Sequence, residues 1–268
     1  MGTEALHVGF GKRATWGGIK KDSPPTPPWL KAAFDKGLAS PVNPNLESAV
    51  TTAVAPVARI TALPMRKKSA ERAATWLMQN FGKEMRAAVQ GKAYKVEHLC
   101  AIACKETAYK WLKWISQYPA QTIVERAVFD ASGDSPDTTR NAFPNNAAQF
   151  RGKYGDTFTA MLIEEANKTR RMQKWSDRPW VYKGYGLFQY DLQHVEVDRD
   201  FFENRRWYSF DNCLKKCIGE LDTKLRATNG DLWEAIRKYN GSGTKARQYR
   251  EDVRALTAVC APIVLQFP

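Results

Sequence analysis

Glu106 is the residue whose type and spacing point most directly to chemistry. It lies four positions after Ile102 and seven after Leu99, so a helix here would place its carboxyl group on the apolar face. Burial penalises the charged form of a carboxyl group and raises its pKa, which lets the group donate a proton near neutral pH. Glu106 is therefore a candidate general acid. The alternative is a solvent-exposed glutamate paired with Lys105 or Lys110.

Two further segments combine glycine with polar and aromatic residues. Residues 184–191 read GYGLFQYD, and residues 238–243 read KYNGSG. The paired glycines of the first segment permit a tight backbone path, and Asn-Gly in the second is typical of the end of a helix. Taken alone, each segment is better explained as an ordinary turn or helix end.

Together the three features resemble the lysozyme-like superfamily, in particular glycoside hydrolase family 23, which holds goose-type lysozymes and soluble lytic transglycosylases. That family has a catalytic glutamate at the end of a helix, then a Gly-Leu-Met-Gln-like segment, then an Ala-Tyr-Asn-Ala-Gly-like segment. Here the order is kept by Lys105-Glu106-Thr107, Gly186-Leu187-Phe188-Gln189 and Lys238-Tyr239-Asn240-Gly241, and Tyr249 and Val253 fit positions that follow. The resemblance covers residues 69–256.

The resemblance implies that Glu106 protonates the leaving glycosidic oxygen. It also implies that Asp191, which continues the glutamine segment, helps to position an attacking water, as in goose-type lysozymes; lytic transglycosylases generally lack this residue. Tyr239 would lie close to Glu106 and the scissile sugar. The substrate-binding residues that it implies are Gln189, Gly186, Tyr239 and Asn240.

The second carboxyl group has several candidates. Asp191 favours hydrolysis, and an inverting hydrolase separates its two carboxyl groups by roughly 6.5–9.5 Å to leave room for a water. The stretch over residues 107–183 is longer than the family pattern requires, and it offers Asp130, Asp134 and Asp137 as alternatives.

Aromatic side chains make up 12% of the chain, and sugar faces stack on such rings, although most of them must belong to the core. A cluster just before the glutamine segment supplies candidate cleft walls: Trp175, Trp180, Tyr182 and Tyr185. His194 is a candidate substrate contact, with a surface histidine as the alternative.

Apolar residues at helical spacing predict a mainly α domain, and the resemblance implies that this domain is lysozyme-like. The predicted helices cover residues 69–85, 95–117, 158–174, 207–226, 232–239 and 249–260. Residues 130–156 are rich in Asp, Ser, Pro, Asn and Gly and predict a long loop. We expect an irregular Pro/Gly-rich N-terminal arm over residues 1–64 and a catalytic domain over residues 65–268, with an insert at about residues 118–180.

The five cysteines include two pairs with helical spacing. Cys100 and Cys104 are four apart, as are Cys213 and Cys217, and Cys260 is left over. The favoured interpretation is small buried side chains; a four-thiolate zinc site and an inter-helix disulfide are the alternatives. No metal or organic cofactor is predicted.

The chain has 41 Lys and Arg against 28 Asp and Glu, a net charge of +13, which predicts an anionic partner such as nucleic acid, a membrane surface or bacterial cell wall. With the resemblance, we expect a muramidase that cleaves the β-1,4 bond between N-acetylmuramic acid and N-acetylglucosamine in peptidoglycan glycan strands, without binding nucleic acid. The alternatives are a lytic transglycosylase that leaves 1,6-anhydro ends, a chitinase, a non-catalytic module that binds cell-wall glycan, and a helical nucleic-acid-binding protein.

The N-terminal residues do not form a basic region followed by an apolar one, so we expect synthesis in the cytoplasm without a conventional signal peptide. No segment is typical of a transmembrane helix, so membrane insertion is not expected. The chain would reach the cell wall, from the periplasm or outside, by export, injection or lysis. An immunity protein would be a partner if the chain is a secreted toxin.

Overall fold

Helices dominate the structure, a computed structural model that describes residues 62–267, and the predicted mainly α class is confirmed. The predicted arm over residues 1–64 lies almost wholly outside this range. The helices are α1 Lys67–Ala88, α2 Val96–Ala103, α3 Tyr109–Trp111, α4 Ala120–Glu125, α5 Ala147–Met172, α6 Arg199–Glu203, α7 Phe210–Arg226, α8 Leu232–Tyr239 and α9 Gly243–Val264. A π-helical turn, Cys104–Ala108, joins α2 to α3, and 3-10 turns cover Leu192–Glu196 and Arg206–Tyr208.

A small antiparallel sheet accompanies the helices. Its strands are β1 Val128–Ala131, β2 Tyr182–Tyr185 and β3 Tyr190–Asp191, in the order β1-β2-β3. The sequence prediction missed the sheet because strands this short cannot display a regular alternation of polar and apolar residues. The β2–β3 hairpin contains the glutamine segment and therefore determines where Gln189 lies.

The core is built around α2, whose residues from Leu99 to Ala103 are all fully buried. Helix α9 packs along α2 and also contacts α1 and α8. The apolar side of α1 faces this core, with Ala73 and Met85 fully buried. Five consecutive buried residues cover every side of the helix, so this second half of α2 lies at the centre of the fold and supports the turn that follows it.

Helix α5 begins earlier than predicted, inside the segment that we expected to be a loop. The Asn146 side chain accepts a hydrogen bond from the Gln149 backbone N–H, which caps the new helix. Both carboxylate oxygens of Asp134 accept from the Ala147 backbone N–H, at 2.9 and 3.0 Å. Gly155 then interrupts the helical path with φ 82°, so the predicted helix at residues 158–174 corresponds to the part after this kink.

A buried carboxylate attaches α5 to the rest of the core. Glu165 is fully buried and accepts hydrogen bonds from Arg126 at 2.9 Å, Tyr208 at 2.6 Å, Lys168 at 2.8 Å and Arg205 at 2.9 Å. Burial opposes ionisation, but the hydrogen bonds from these donors outweigh it and lower the pKa of Glu165 to about 2. The insert is therefore held in place by a charged cluster as well as by apolar packing.

All five cysteines are buried as free thiols: Cys100, Cys104, Cys213, Cys217 and Cys260. They pack as small side chains in the core, so the alternative of an inter-helix disulfide is corrected. Within residues 62–267, none of the helices has the length and apolar character needed to cross a membrane.

Candidate active site

A cleft of about 400 Å³ brings together residues from all three sequence motifs. Glu106 reaches it from the π-helical turn, Gln189 and Asp191 from the β2–β3 hairpin, and Tyr239 and Asn240 from the end of α8. These segments are far apart in the sequence, and the fold brings them together on one concave surface. A shared concave surface with several polar side chains is the usual setting of an active site.

Glu106 lies where the chain leaves the regular helical path. The π-helical turn Cys104–Ala108 begins directly after the buried helix α2, and single π turns inside α-helices often occur at functional sites. Its neighbour Thr107 is fully buried and donates a hydrogen bond to the Leu187 carbonyl at 2.9 Å, which connects the turn to the hairpin. Trp111 donates its indole N–H to the same hydroxyl at 2.8 Å. The turn that carries Glu106 is thereby fixed on its inner side.

The Glu106 carboxyl group is held from α9. The Tyr249 hydroxyl donates a hydrogen bond to Glu106 Oε1 at 2.6 Å. Burial raises the pKa of Glu106 to about 7, repulsion by the Asp130 carboxylate acts in the same direction, and the Tyr249 hydrogen bond acts against both. A carboxyl group with a pKa near 7 is still substantially protonated at neutral pH, as a general acid must be.

Tyr239 supports this arrangement from the end of α8. Its hydroxyl donates to the Phe188 carbonyl at 3.0 Å, and its ring stacks on Tyr249 with 6.4 Å between centroids. Asn240 follows at the C-terminal end of the helix and is exposed at the cleft rim. The structure therefore places Tyr239 beside the tyrosine that holds Glu106, and Asn240 on the cleft surface.

Gln189 occupies the tip of the β2–β3 hairpin with a positive φ of 54°. Its side-chain N–H donates to the Gly186 carbonyl at 2.7 Å, while its Oε1 is buried without a hydrogen-bond partner among the described residues. Gly184 is required beside it, because a Cβ at that position would overlap Gln189 Oε1. Gln189 therefore closes the hairpin turn through its side-chain N–H, while the residue as a whole lines the cleft.

The candidate aspartates differ in the number of hydrogen bonds and ion pairs that their carboxylates make. Asp191 accepts from two guanidinium nitrogens of Arg140, at 2.5 and 3.1 Å, and from the Gln193 backbone N–H at 2.8 Å. The Asp130 side chain is 48% exposed, lies 3.3 Å from the Lys110 ammonium and has a backbone φ of 65°. Both aspartates line the cleft with Glu106. Asp134, by contrast, is used in capping α5.

Two of the predicted cleft residues lie behind the cleft. Tyr185 is fully buried, with its ring packed against Phe202 and Trp207. Gly186 faces Cys213, and a Cβ there would overlap the Cys213 Sγ. Residues alternate between the two faces of a strand, so the residue after Gly184 turns its side chain into the core. The prediction of substrate contacts for these two residues is corrected: they support the hairpin from behind.

His194 lines the opposite part of the cleft. Its ring stacks on Tyr190 at 4.7 Å between centroids, and its Nε2 lies 3.9 Å from a Glu220 carboxylate oxygen. This geometry keeps the imidazole partly exposed and oriented toward the cleft.

The aromatic cluster lines a second depression, of about 770 Å³, next to the cleft. Trp175, Trp180 and Tyr182 are on its wall, and Asp130 and Lys183 belong to both concave surfaces. We call this depression the side groove; sequence reasoning had assigned its aromatic residues to the cleft itself. Asp137 also lines the side groove.

Several residues that shape the cleft had no recognisable signal in the sequence. Arg140 and Lys183 both lie outside the three motifs. Tyr249 fitted the family spacing, but its hydrogen bond to Glu106 required the packing of α9 against the π-helical turn. Long-range contacts of this kind cannot be read from local periodicity.

Metal ligands do not come together in the part of the chain that the structure covers: no group of three or more His, Cys, Asp and Glu side chains could hold an ion there. Comparison of the chain with family models, curated proteins and solved structures gave no match.

Proposed function

We propose that the chain is a glycosidase that degrades peptidoglycan by cleaving the β-1,4 bond between N-acetylmuramic acid and N-acetylglucosamine. The observation that carries the proposal is Glu106, a carboxyl group with a pKa raised to about 7 by burial, in a cleft that also contains separate aspartates. A protonated and an ionised carboxyl group on one cleft are what glycoside hydrolysis requires.

In this mechanism, protonated Glu106 gives its proton to the glycosidic oxygen while the bond from that oxygen to the sugar C1 breaks. A water oxygen then bonds to C1, and an aspartate takes the proton that the water loses. Tyr249 keeps the Glu106 carboxyl group in place through its hydrogen bond. Gln189, which lines the same cleft, would contact the sugar chain.

Asp130 is the better candidate for the second carboxylate. Its negative charge acts on Glu106 directly, and its side chain is half exposed to the solvent from which the water would come. Both oxygens of Asp191 already accept hydrogen bonds from Arg140, so they are less free to accept one from a water. We therefore assign Asp191 to orienting the hairpin and the loop of Arg140, and Asp130 to the water.

The charge of the protein fits the proposed substrate. The net charge is +13, and the cleft lining contains three lysines beside its four acidic side chains: Lys183, Lys224 and Lys238. A basic surface raises the concentration of the enzyme near an anionic polymer. The protein would act at the cell wall after export, injection or lysis, and an immunity protein would be its partner if it is a secreted toxin.

A lytic transglycosylase is the second candidate, and the Arg140–Asp191 ion pair favours it, because that reaction needs no carboxylate to activate water. Digestion of purified sacculi, followed by mass spectrometry of the fragments, separates the two. Hydrolysis adds one water and leaves reducing muramic acid ends, whereas transglycosylation leaves 1,6-anhydro ends that are lighter by one water.

Fragments with reducing ends would support the proposal of a muramidase. Fragments with anhydro ends would show instead that the chain is a lytic transglycosylase. Release of fragments from chitin but not from sacculi would show that the substrate is chitin. If sacculi bind the protein without releasing fragments, the chain is a glycan-binding module. A steep fall of DNA affinity with salt, without sacculus binding, would favour a nucleic-acid-binding protein.

A further inference from the structure

The side groove has a wall of aromatic rings that are held in fixed positions. The Arg170 guanidinium lies 5.6 Å from the Trp175 ring centroid and 5.0 Å from that of Trp180. The same guanidinium donates to the Tyr182 hydroxyl at 3.0 Å and to the Ser176 carbonyl at 2.6 Å. The Trp175 side chain nevertheless remains 46% exposed. The two indole rings give this concave surface an apolar wall that a ligand could contact.

The groove also carries more positive than negative charge. Its lining contains five Lys and Arg side chains and two aspartates. Arg140 and Lys110 are paired with Asp191 and Asp130. Lys183 and Lys245, in contrast, make no ion pair with any residue between 62 and 267. A ligand with carboxylates would find these two ammonium groups available.

The groove opens directly beside the proposed catalytic carboxyl groups. Asp130 and Lys183 form part of the cleft as well as of the groove, so a branched substrate can occupy both at once. In peptidoglycan, the peptide stem branches from the lactyl group of muramic acid, the sugar whose bond would be broken next to Glu106. The stem carries free carboxylates, while the glycan chain itself continues along the cleft.

We propose that the side groove binds the acidic peptide stem of the muramic acid whose glycosidic bond is cleaved. The inference rests on the proposed function, because it takes peptidoglycan as the substrate. Lys183 and Lys245 hold the carboxylates of the stem, and Trp175 and Trp180 contact its apolar parts. The groove is built largely by the insert at residues 118–180, so the insert acts as a specificity element for stem-bearing strands.

The test compares glycan strands that carry their stems with the same strands stripped of them by an amidase. We expect wild-type kcat/KM to be about tenfold higher on stem-bearing strands, the effect of one good charged contact. Lys245→Glu removes this preference and leaves cleavage of stripped strands unchanged. Lys215→Glu is the matched control: it reverses an exposed lysine that lines neither concave surface, and the preference stays.

Trp175→Ala provides a second variant that does not threaten folding, since the side chain is half exposed, and Tyr118→Ala is its control. If Lys245→Glu and Trp175→Ala keep the wild-type ratio between the two substrates, the proposal is overturned while the glycosidase activity stands. Equal losses on both substrates would show that the groove holds sugar, which also overturns it. If the wild type cleaves neither strand, the proposed function itself is wrong.

Discussion

In the proposed glycosidase, the hydrogen bond from Tyr249 to Glu106 helps to set the pH range of activity. The Tyr249 hydroxyl donates to Glu106 Oε1 at 2.6 Å and stabilises the ionised carboxylate. Tyr249→Phe removes that stabilisation, so the pKa of Glu106 rises. Asp130→Asn removes a repulsive negative charge, so the same pKa falls.

The size of the first shift follows from the geometry. A hydrogen bond to a charged group contributes about 1.5–3 kcal/mol, and 1.36 kcal/mol corresponds to one pKa unit, which gives ~1–2 units. Water in the cleft replaces part of the lost hydrogen bond, so the lower end applies. With a starting pKa of about 7, we expect a value of about 8 in Tyr249→Phe.

The assay is the pH dependence of kcat/KM for solubilisation of labelled sacculi, because this quantity reports pKa values of the free enzyme. A general acid must be protonated, so activity falls as the pH rises through the pKa of Glu106. The alkaline limb therefore moves up by about one pH unit in Tyr249→Phe and down in Asp130→Asn, whatever the loss in maximum rate. Tyr118→Phe, at an exposed tyrosine remote from the cleft, is the control. Unchanged limbs, or shifts of both variants in one direction, would refute the reasoning.

Three further predictions concern stability. Glu165→Gln removes the nearer counter-charge of the buried Arg126 guanidinium, which keeps only Glu125 at 3.4 Å, and lowers the free energy of unfolding in urea by about 3 kcal/mol. The control Glu164→Gln, at an exposed residue, changes it by less than ~0.5 kcal/mol. Because the pKa of Glu165 is lowered to about 2, its stabilisation is complete above the unfolded-state pKa and is lost as pH falls toward 2; Glu165→Gln should remove this part of the acid dependence. Gly186→Ala lowers Tm because of its φ of 77° and an overlap with a buried thiol, while helical Gly219→Ala, in open space, raises stability by up to ~1 kcal/mol in the same melting experiment.

Helix α8 shows what could be predicted from the sequence. Its bounds, Leu232–Tyr239, agree with the prediction, because Asp231 caps its start and Asn-Gly follows its end. The resemblance based on the three motifs also predicted that Glu106, Gln189 and Tyr239 lie near one another, and all three line the same cleft. Helix periodicity and capping depend on residues close together in the chain, so both can be predicted from the sequence.

Other features depend on contacts that no local pattern reveals. The start of α5 at Ala147 was hidden in a segment with loop-like composition, although Asn146 is a good cap. Tyr185 looked like a cleft residue until the pairing of β1 with β2 turned its ring into the core. The ion pair between Arg140 and Asp191 joins a loop to strand β3 across 51 positions of sequence, and only the folded chain brings the two together.

The most direct test of the account is the release of soluble fragments from purified sacculi by wild type and by Glu106→Gln. The substitution keeps the size of the side chain and removes its ability to give a proton, so circular dichroism and sacculus binding should match the wild type. We expect Glu106→Gln to lower the rate of fragment release by at least ~100-fold, which is the usual contribution of a general acid. Release by Glu106→Gln at the wild-type rate would contradict the central claim, that this carboxyl group protonates the glycosidic oxygen.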